Sequence, residues 1–539
     1  MSSSIHVTPV SRKVMNLAHF LRQASRRYPN EVGLAWGSRT WTWRELDRRV
    51  DAIAAAFTLR GVSKGDRVLV QSKNCNELFE SMFACFRLGA VWVPTNFRQV
   101  PEEVAYLAEA SGASLMICQA AFPEHAAEVA AVPGVKSLIS IGEAAFGESY
   151  ERLVQKHYDA AFSDAPVEHD DPCWFFFTSG TTGRPKAAVL THGQMGFVIT
   201  NHLCDLMPGT TASDASLVVA PLSHGAGIHQ IAQVAQASKT VLLANDRFDA
   251  EEAWSLVERW RVTNMFTVPT ILKMLTEHPS VDRYDHSSLR YVIYAGAPMY
   301  REDQKHALRK LGKVLVQYFG LGEVTGNITV LPPYLHEIED NDEIRIGTCG
   351  YERVAMQISI QDEHGNELPP YETGEICVCG LAVFAGYFNN PEANEKAFRD
   401  GWFRTGDLGH VDEQGFLFIT GRASDMYISG GSNIYPREIE EKILAHPSVA
   451  EVAIVSVPDD TWGESGIAVV VLRDGLSTDE PELLHWLEGK IAKYKVPKRI
   501  IFWDSLPKSG YGKITKKTIK EELFTRGCLR LAEAASTTT

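Results

Sequence analysis

Thr178-Ser179-Gly180-Thr181-Thr182-Gly183-Arg184-Pro185-Lys186 gathers hydroxyls, glycines and a lysine into one turn, directly after the apolar run Cys173 to Phe177. The combination predicts a strand that runs into a phosphate-binding loop. Glycines let backbone N–H groups approach a polyphosphate closely, the hydroxyls add donors, and Lys186 places a point charge where negative charge must be held. The spacing is not the Gly-x-x-x-x-Gly-Lys-Ser/Thr of a Walker loop.

From Val32 to about residue 140, before that loop, apolar runs alternate with helical patterns in the manner of βαβ units. Asp66 to Gln71, Ala90 to Pro94 and Ser114 to Cys118 read as strands, Asn76 to Leu88 as an amphipathic helix and Glu102 to Ala110 as another helix. The alternation resumes after the loop, with strands at Ser216 to Ala220, Thr240 to Leu243 and Tyr291 to Tyr294 and a helix at Ala253 to Trp260. The implied fold is α/β, with parallel sheet covered on both faces. The texture changes near residue 421. Gly421-Arg422-Ala423-Ser424-Asp425 is followed by Gly430-Gly431, and Pro436 then opens a helix at Arg437 to Ala445. Strands at Val452 to Val457 and Ile467 to Leu472, a helix near Glu480 to Ile491 and a last helix after Gly512 form a small α+β unit. The expected division is a large N-terminal domain of layered α/β sheets, 1–423, and a small, mobile C-terminal domain, 424–539.

A chain of 539 residues is too long for one compact core, which agrees with two units. The formal net charge of −14 excludes an overall basic field for nucleic acid or an anionic membrane, so cations that bind phosphate must be placed locally. The nine cysteines include no Cys-x-x-Cys pair, which argues for a reducing compartment and against structural zinc. Cys377 and Cys379 share one face of a predicted strand, where core packing is the expected role. No apolar run reaches the ~18 residues of a membrane span. Arg12, Lys13, Arg22, Arg26 and Arg27 precede the first acidic residue, Glu31, in the manner of a mitochondrial presequence. Leu17, Phe20 and Leu21 nevertheless have helical spacing, so a folded helix and a cytoplasmic protein are preferred, with the mitochondrial matrix as the alternative. Neither a secretory signal nor a peroxisomal tripeptide is read from the sequence. The sequence leaves a homodimer open.

Two further stretches give the loop a context. Gly401-Trp402-Phe403-Arg404-Thr405-Gly406-Asp407 is followed by Gly421-Arg422, and Pro507-Lys508-Ser509-Gly510-Tyr511-Gly512-Lys513-Ile514 lies near the end. In content and order these resemble the signature sequences of the adenylate-forming superfamily, which includes acyl-CoA synthetases, aryl-CoA ligases, luciferases and the adenylation domains of peptide synthetases. The resemblance spans about residues 14 to 525. It implies an AMP-forming acid–thiol ligase: a carboxylate attacks the α-phosphorus of ATP with loss of pyrophosphate, and CoA then takes the acyl group. ATP, Mg2+ and CoA are the implied cofactors and a small carboxylic acid the partner.

The resemblance also assigns residues. The loop Thr178, Ser179, Gly180, Thr181, Thr182, Gly183 and Lys186 would take the β- and γ-phosphates, and Glu323 would ligate magnesium as a hard oxygen donor. Phe319 and the turn Gly296-Ala297-Pro298 would flank the adenine, Asp407 would accept from the ribose hydroxyls, and Arg422 would bind sugar or phosphate. Ser424 occupies the hinge position. Lys513 would stabilise charge between carboxylate and α-phosphate. Gly430-Gly431 would line a pantetheine tunnel. Lys493, Lys495, Lys498 and Arg499 are either contacts for CoA phosphates or a solvated basic face.

Pro221-Leu222-Ser223-His224-Gly225 fits the segment that opens the acid pocket, with His224 either a gate or a core histidine. Relatives that activate amino acids carry an aspartate here, so a free α-amino acid is disfavoured. Ser223, His224, Gly225 and Val268, with Pro269 and Thr270 beside it, suit a medium-chain, branched or aromatic acid. One departure stands out. Most relatives place threonine before the magnesium glutamate, and this chain has Gly322, with Thr325 as a nearby substitute. Two competitors remain at this stage: a stand-alone enzyme that loads a carrier protein, and a non-catalytic nucleotide-binding relative, against which Lys186, Glu323, Asp407, Arg422 and Lys513 together argue.

Overall fold

Runs of β-branched and aromatic residues separated by helix-forming stretches, as in Arg67–Gln71, Val91–Pro94 and Leu115–Gln119, can bury both faces only inside a layered sheet. The computed structural model describes residues 12–178, 184–245, 248–297, 299–340, 344–429, 432–459, 461–508 and 514–527. Among them, four larger sheets carry the fold.

The first runs in the order Lys186–Thr191, Pro172–Thr178, Val91–Pro94, Arg67–Gln71, Leu115–Gln119, Ser137–Ile141, Glu148–Ser149. It is parallel throughout except for the antiparallel hairpin that closes the glycine-rich loop, in which Thr178 pairs with Lys186. The second has a parallel centre, Leu315–Phe319, Tyr291–Tyr294, Asn264–Thr267, Ala215–Val218, Lys239–Leu242 and Val32–Trp36, with antiparallel strands at both edges. A third, antiparallel sheet holds Met356–Gln361, Gly374–Gly380, Trp402–Val411, Phe398–Arg399 and Leu417–Arg422. One apolar core joins residues of these three sheets and the helices between them.

The fourth sheet begins at Tyr427, and its two apolar clusters contain only residues from 427 onward. A large N-terminal and a small C-terminal domain follow from that separation of cores. The expected elements are present with shifted ends. The strand predicted at Val452 to Val457 extends over Val449–Asp459, the helix near Glu480 ends at Leu487, and the last helix runs Lys516–Thr525.

One expectation changes in kind. Asn76–Leu88 was read as amphipathic, yet every one of its residues is buried. It lies in the core shared by the sheets, where two of its charged side chains are paired: Arg49 Nε donates to Glu80 at 2.7 Å, and Arg87 pairs with Asp47 and Asp51. The helix is capped by the Cys75 sulfur, which accepts from the Leu78 N–H, and it ends at Gly89 with φ +64°.

The basic N-terminal segment also folds. Leu17 and Leu21 are fully buried, and Arg22 is held by Asp51 at 2.9 Å and Asp164 at 3.0 Å. Of the paired strand cysteines, Cys377 is buried and Cys379 half-buried. No helix among the described residues is long and apolar enough to cross a membrane.

Candidate active site

Four adjacent parallel strands of the second sheet, Ala215–Val218, Asn264–Thr267, Tyr291–Tyr294 and Leu315–Phe319, end on the same edge. The chain leaving them carries Ser223, His224 and Gly225, then Val268, then Gly296 and Ala297, then Phe319 to Glu323. Carboxyl ends of parallel strands are where open α/β sheets bind ligands, because the chain must leave the sheet there and the loops line a crevice. The first sheet contributes Thr178, at the mouth of the glycine-rich loop.

Glu323 lies in a single 3-10 turn, Gly322–Val324, and is only 6% exposed. Its Oε1 accepts from the Thr178 hydroxyl at 2.8 Å and from the Tyr387 hydroxyl at 2.9 Å. Oε2 has no protein donor among the described residues. A carboxylate fixed through one oxygen and open at the other suits a hard cation. No group of three or more His, Cys, Asp or Glu among the described residues could hold a metal. A magnesium ion at Glu323 would therefore complete its shell with phosphate oxygens and water, as that ion prefers.

Tyr387 was not singled out from the sequence. Residues 384–388 lie along the strand Lys186–Thr191, through Ala385 N–H to Val189 C=O at 3.0 Å, Val189 N–H to Gly386 C=O at 3.0 Å and Phe388 N–H to Ala187 C=O at 2.9 Å. The Asn394 carboxamide clamps both backbone groups of Tyr387, at 2.6 and 3.1 Å. The tyrosine ring carries Lys186 Nζ 5.2 Å from its centroid, so one side chain links the lysine of the loop to Glu323. Burial, and then the Glu323 charge, push the Tyr387 phenol above its ordinary range, which keeps it a donor. Its signal in the sequence was Gly386-Tyr387 just before Pro391-Glu392, which opens the helix Pro391–Ala397.

Gly296 and Phe319 each lie two residues beyond the register pair Tyr294–Gln317. Gly296 has φ +83°, and a Cβ there would meet only Val268 Cγ1, at 3.9 Å, so the surface beside it is open. Phe319 is half-buried. On the third sheet Asp407 pairs in register with Arg422, whose Nε donates to Asp407 Oδ1 at 3.1 Å; the carboxylate is buried while the guanidinium is half exposed. Phosphate and ribose chemistry needs these features: an aromatic face beside an open backbone, and an acceptor next to a fixed cation. Ser424 lies exposed between the strand Leu417–Arg422 and the next strand, Tyr427–Ser429, with its hydroxyl on Asp425 Oδ1 at 3.2 Å.

The segment Pro221 to Gly225, a candidate for opening the acid pocket, is pinned from a distance. Asn74 donates to the Ala220 carbonyl at 3.0 Å and accepts from the Leu222 N–H at 2.8 Å, which fixes the chain just before Ser223. His224 precedes the helix Gly225–Ala235 and stacks on Phe176, ring centroids 4.5 Å apart at 29°. Gly225 abuts Phe266, whose Cζ would lie 2.9 Å from a Cβ there. His229, not His224, is the core histidine. It is fully buried against Asn264 at 2.9 Å, and burial lowers it to about 4, so it is neutral. Ser223 is buried, Val268 half-buried and Thr270 exposed.

Thr325, the suggested substitute for a hydroxyl at 322, has φ +53° and donates to the Val324 carbonyl at 2.6 Å, so its hydroxyl is engaged by its own chain rather than by Glu323. Of the basic residues considered for CoA, Lys495 pairs with Glu438 at 2.7 Å, Lys498 with Asp459 at 2.6 Å, and Arg499 lies 4.0 Å from Glu480. Ser179, Gly180, Thr181, Thr182, Gly183, Pro298, Gly430, Gly431 and Lys513 lie outside the described residues.

Two family models match the chain in succession. The AMP-binding enzyme model matches residues 21–388 and the AMP-binding enzyme C-terminal domain model residues 438–513. The chain belongs to the AMP-binding enzyme family. It is 37% identical over 499 residues to a feruloyl-CoA synthase of an Amycolatopsis species, covering 92% of this chain and 96% of that one. It is 32% identical to the indoleacetate–CoA ligase of Aromatoleum aromaticum, covering 94% and 98%, and 32% identical to the fatty acid–[acyl-carrier-protein] ligase ScoC of Streptomyces coeruleorubidus, covering 92% and 94%. Among solved structures, ATP-bound MatB from Rhodopseudomonas palustris superposes with a TM-score of 0.84 at 30% identity, over 94% of this chain and 99% of that one. The family reaction is thereby assigned: this is an adenylate-forming, AMP-producing acid–thiol ligase that works with ATP, Mg2+ and CoA.

Proposed function

We propose that this ligase activates an aromatic, branched or medium-chain carboxylic acid at the strand-end crevice, with the residue roles that follow. The observation that carries the reading is the Glu323 cradle: a buried carboxylate, held by Thr178 at the mouth of the glycine-rich loop and by Tyr387 beside Lys186. Glu323 holds the magnesium ion, which supplies charge neutralisation for the phosphates. Lys186 and the loop bind the outer phosphates, and Phe319 with Gly296, Ala297 and Pro298 receives the adenine. Asp407 orients the ribose, and Arg422 holds it from the edge of the domain. The acid enters between His224, Gly225 and Val268, with its carboxylate directed to the phosphate side. Lys513 stabilises the charge that develops on adenylation.

The domain boundary lies at residue 423. The last strand of the third sheet ends at Arg422 and the first of the fourth begins at Tyr427, so Ser424 is left in the connecting turn as the hinge. Rotation there would exchange the Lys513 loop for Gly430-Gly431 and admit the CoA thiol. The packing of Leu17 and Leu21 supports a folded role for the basic N-terminal segment and, with it, the cytoplasm over the mitochondrial matrix.

The test is ATP-dependent pyrophosphate release with a panel of acids: ferulate, indoleacetate, octanoate, branched-chain acids, long-chain fatty acids and dicarboxylates, each with and without CoA. The expected result is turnover with aryl, branched or medium-chain acids, with AMP and thioester accumulating only when CoA is present. Adenylation without consumption of CoA would replace the reading with a carrier-protein loader. Turnover confined to long-chain acids or dicarboxylates would overturn the substrate class.

A further inference from the structure

Gly322 is glycine for a steric reason, not a conformational one. Its φ lies outside the left-handed region, so any L-residue could adopt its backbone. A Cβ there would instead lie 2.6 Å from both Phe176 Cδ1 and Cε1 and 3.0 Å from Thr178 Cγ2. The Phe176 ring has little room to retreat. It is 4% exposed, tilts against Trp174 with centroids 6.0 Å apart, and stacks on His224 at 4.5 Å. One phenyl ring therefore meets both the volume a side chain at 322 would need and the imidazole before the helix Gly225–Ala235, and the threonine that holds Glu323 borders that same volume.

We propose that Phe176 and Gly322 are a compensating pair, in which the Phe176 ring replaces a side chain at 322 and acts as a positioning residue that holds His224 face-on between the Glu323 cradle and the acid pocket. The proposal rests on the assignment of His224 to that pocket. It accounts for the departure at 322: a hydroxyl before the glutamate has been exchanged for an aromatic wall, contributed from the strand that leads into the glycine-rich loop. A wall of this kind bounds the body of the acid without adding a polar group and leaves its carboxylate free to meet the α-phosphate, and its flat face suits a planar or compact acid.

The test is a double-mutant cycle with Gly322→Thr and Phe176→Val, read three ways on the full chain. Because neighbours that compete for one volume are non-additive, Gly322→Thr should cost about 100-fold in kcat/KM for ferulate adenylation alone, but only about 5-fold or less in the Phe176→Val background. The same cycle run on chemical unfolding should show the same sign of coupling, and it needs no substrate. Ring-proton resonances of His224, assigned by their loss in His224→Asn, should move downfield in Phe176→Val as the stacked ring is removed, and KM for the acid should rise while KM for ATP stays within twofold. Equal cost of Gly322→Thr in both backgrounds, or an unmoved His224 resonance, overturns the pairing. If no acid is turned over, the functional reading fails, while the unfolding cycle and the spectrum still decide the pair.

Discussion

Replacing Tyr387 by phenylalanine removes one atom from the Glu323 cradle and leaves the rest in place. The hydroxyl donates to Glu323 Oε1 at 2.9 Å, while Thr178 continues to donate to the same oxygen at 2.8 Å. The ring stays under Lys186 Nζ, 5.2 Å from the centroid, so the lysine keeps its aromatic support. Hydrogen bonds to charged groups contribute ~1.5–3 kcal/mol. With the second donor retained, the lower half of that range applies, about 1.5–2 kcal/mol, or about 10- to 30-fold in rate at 1.36 kcal/mol per tenfold. The loss should appear in ATP–pyrophosphate exchange as a fall in kcat/KM and a higher magnesium concentration at half-maximal rate, with the melting temperature little changed. Burial and the Glu323 charge raise the phenol above its usual range, so the donor keeps its proton, and the same loss should be found at pH 7 and pH 9.5. Thr178→Val should behave alike, and the double variant should lose more than either. Rates within twofold of wild type at every magnesium concentration, for both single variants, would refute the claim that this cradle positions a metal ligand.

Asn74→Ala should raise KM for the acid about 10-fold with KM for ATP within twofold, because two hydrogen bonds that pin Ala220 and Leu222 are lost at ~0.5–1.5 kcal/mol each; steady-state kinetics on both substrates checks it. Lys513→Ala should cut acid-dependent pyrophosphate release by at least ~100-fold while thioester formation from supplied acyl-adenylate and CoA is retained, and equal loss of both would contradict its role. Stability should fall with acid. Burial lowers His192, His229 and His336 to about 4 from an unfolded value near 6.5, so as pH drops through that window the unfolded chain takes up protons that the folded chain does not, at ~1.4 kcal/mol per unit for each. Glu77, raised to about 7 by burial, and Glu80, also raised by burial, work in the opposite direction, while His202, lowered by burial, adds to the loss, so the buried histidines outnumber the buried carboxylates and stability falls as the pH drops below about 6.5. Guanidinium unfolding at pH 7.5, 6.5 and 5.5 measures this, and a flat profile would rule it out.

How much of this was legible beforehand differs between pattern and contact. Strands and helices flanking the loop are encoded locally, by period and by turn residues, and were read to within a few positions. The helix Asn76–Leu88 shows the limit. Its sequence has a polar stripe, and only the core shared by the sheets reveals that the stripe is buried, with Glu80 paired to Arg49 and Arg87 to Asp47 and Asp51. Tyr387 and Asn74 were invisible for a similar reason. Each acts across a separation, 64 residues from Glu323 for Tyr387 and about 148 residues from Leu222 for Asn74, and no periodicity reports such a partner.

A large α/β domain followed by a small C-terminal one and the reaction class were legible in the sequence, which also supplied the candidates for carrying charge to the phosphates. Those depend on short contiguous runs whose chemistry is carried by residue type and spacing. The tertiary structure alone decided which histidine belongs to the core and which borders the site, that Thr325 is engaged by its own backbone, and that Gly322 is imposed by the ring of Phe176. These are matters of volume and of partner choice between distant segments. They arise only when strand ends from two sheets are brought to one crevice, and excluded volume then selects what each position can hold.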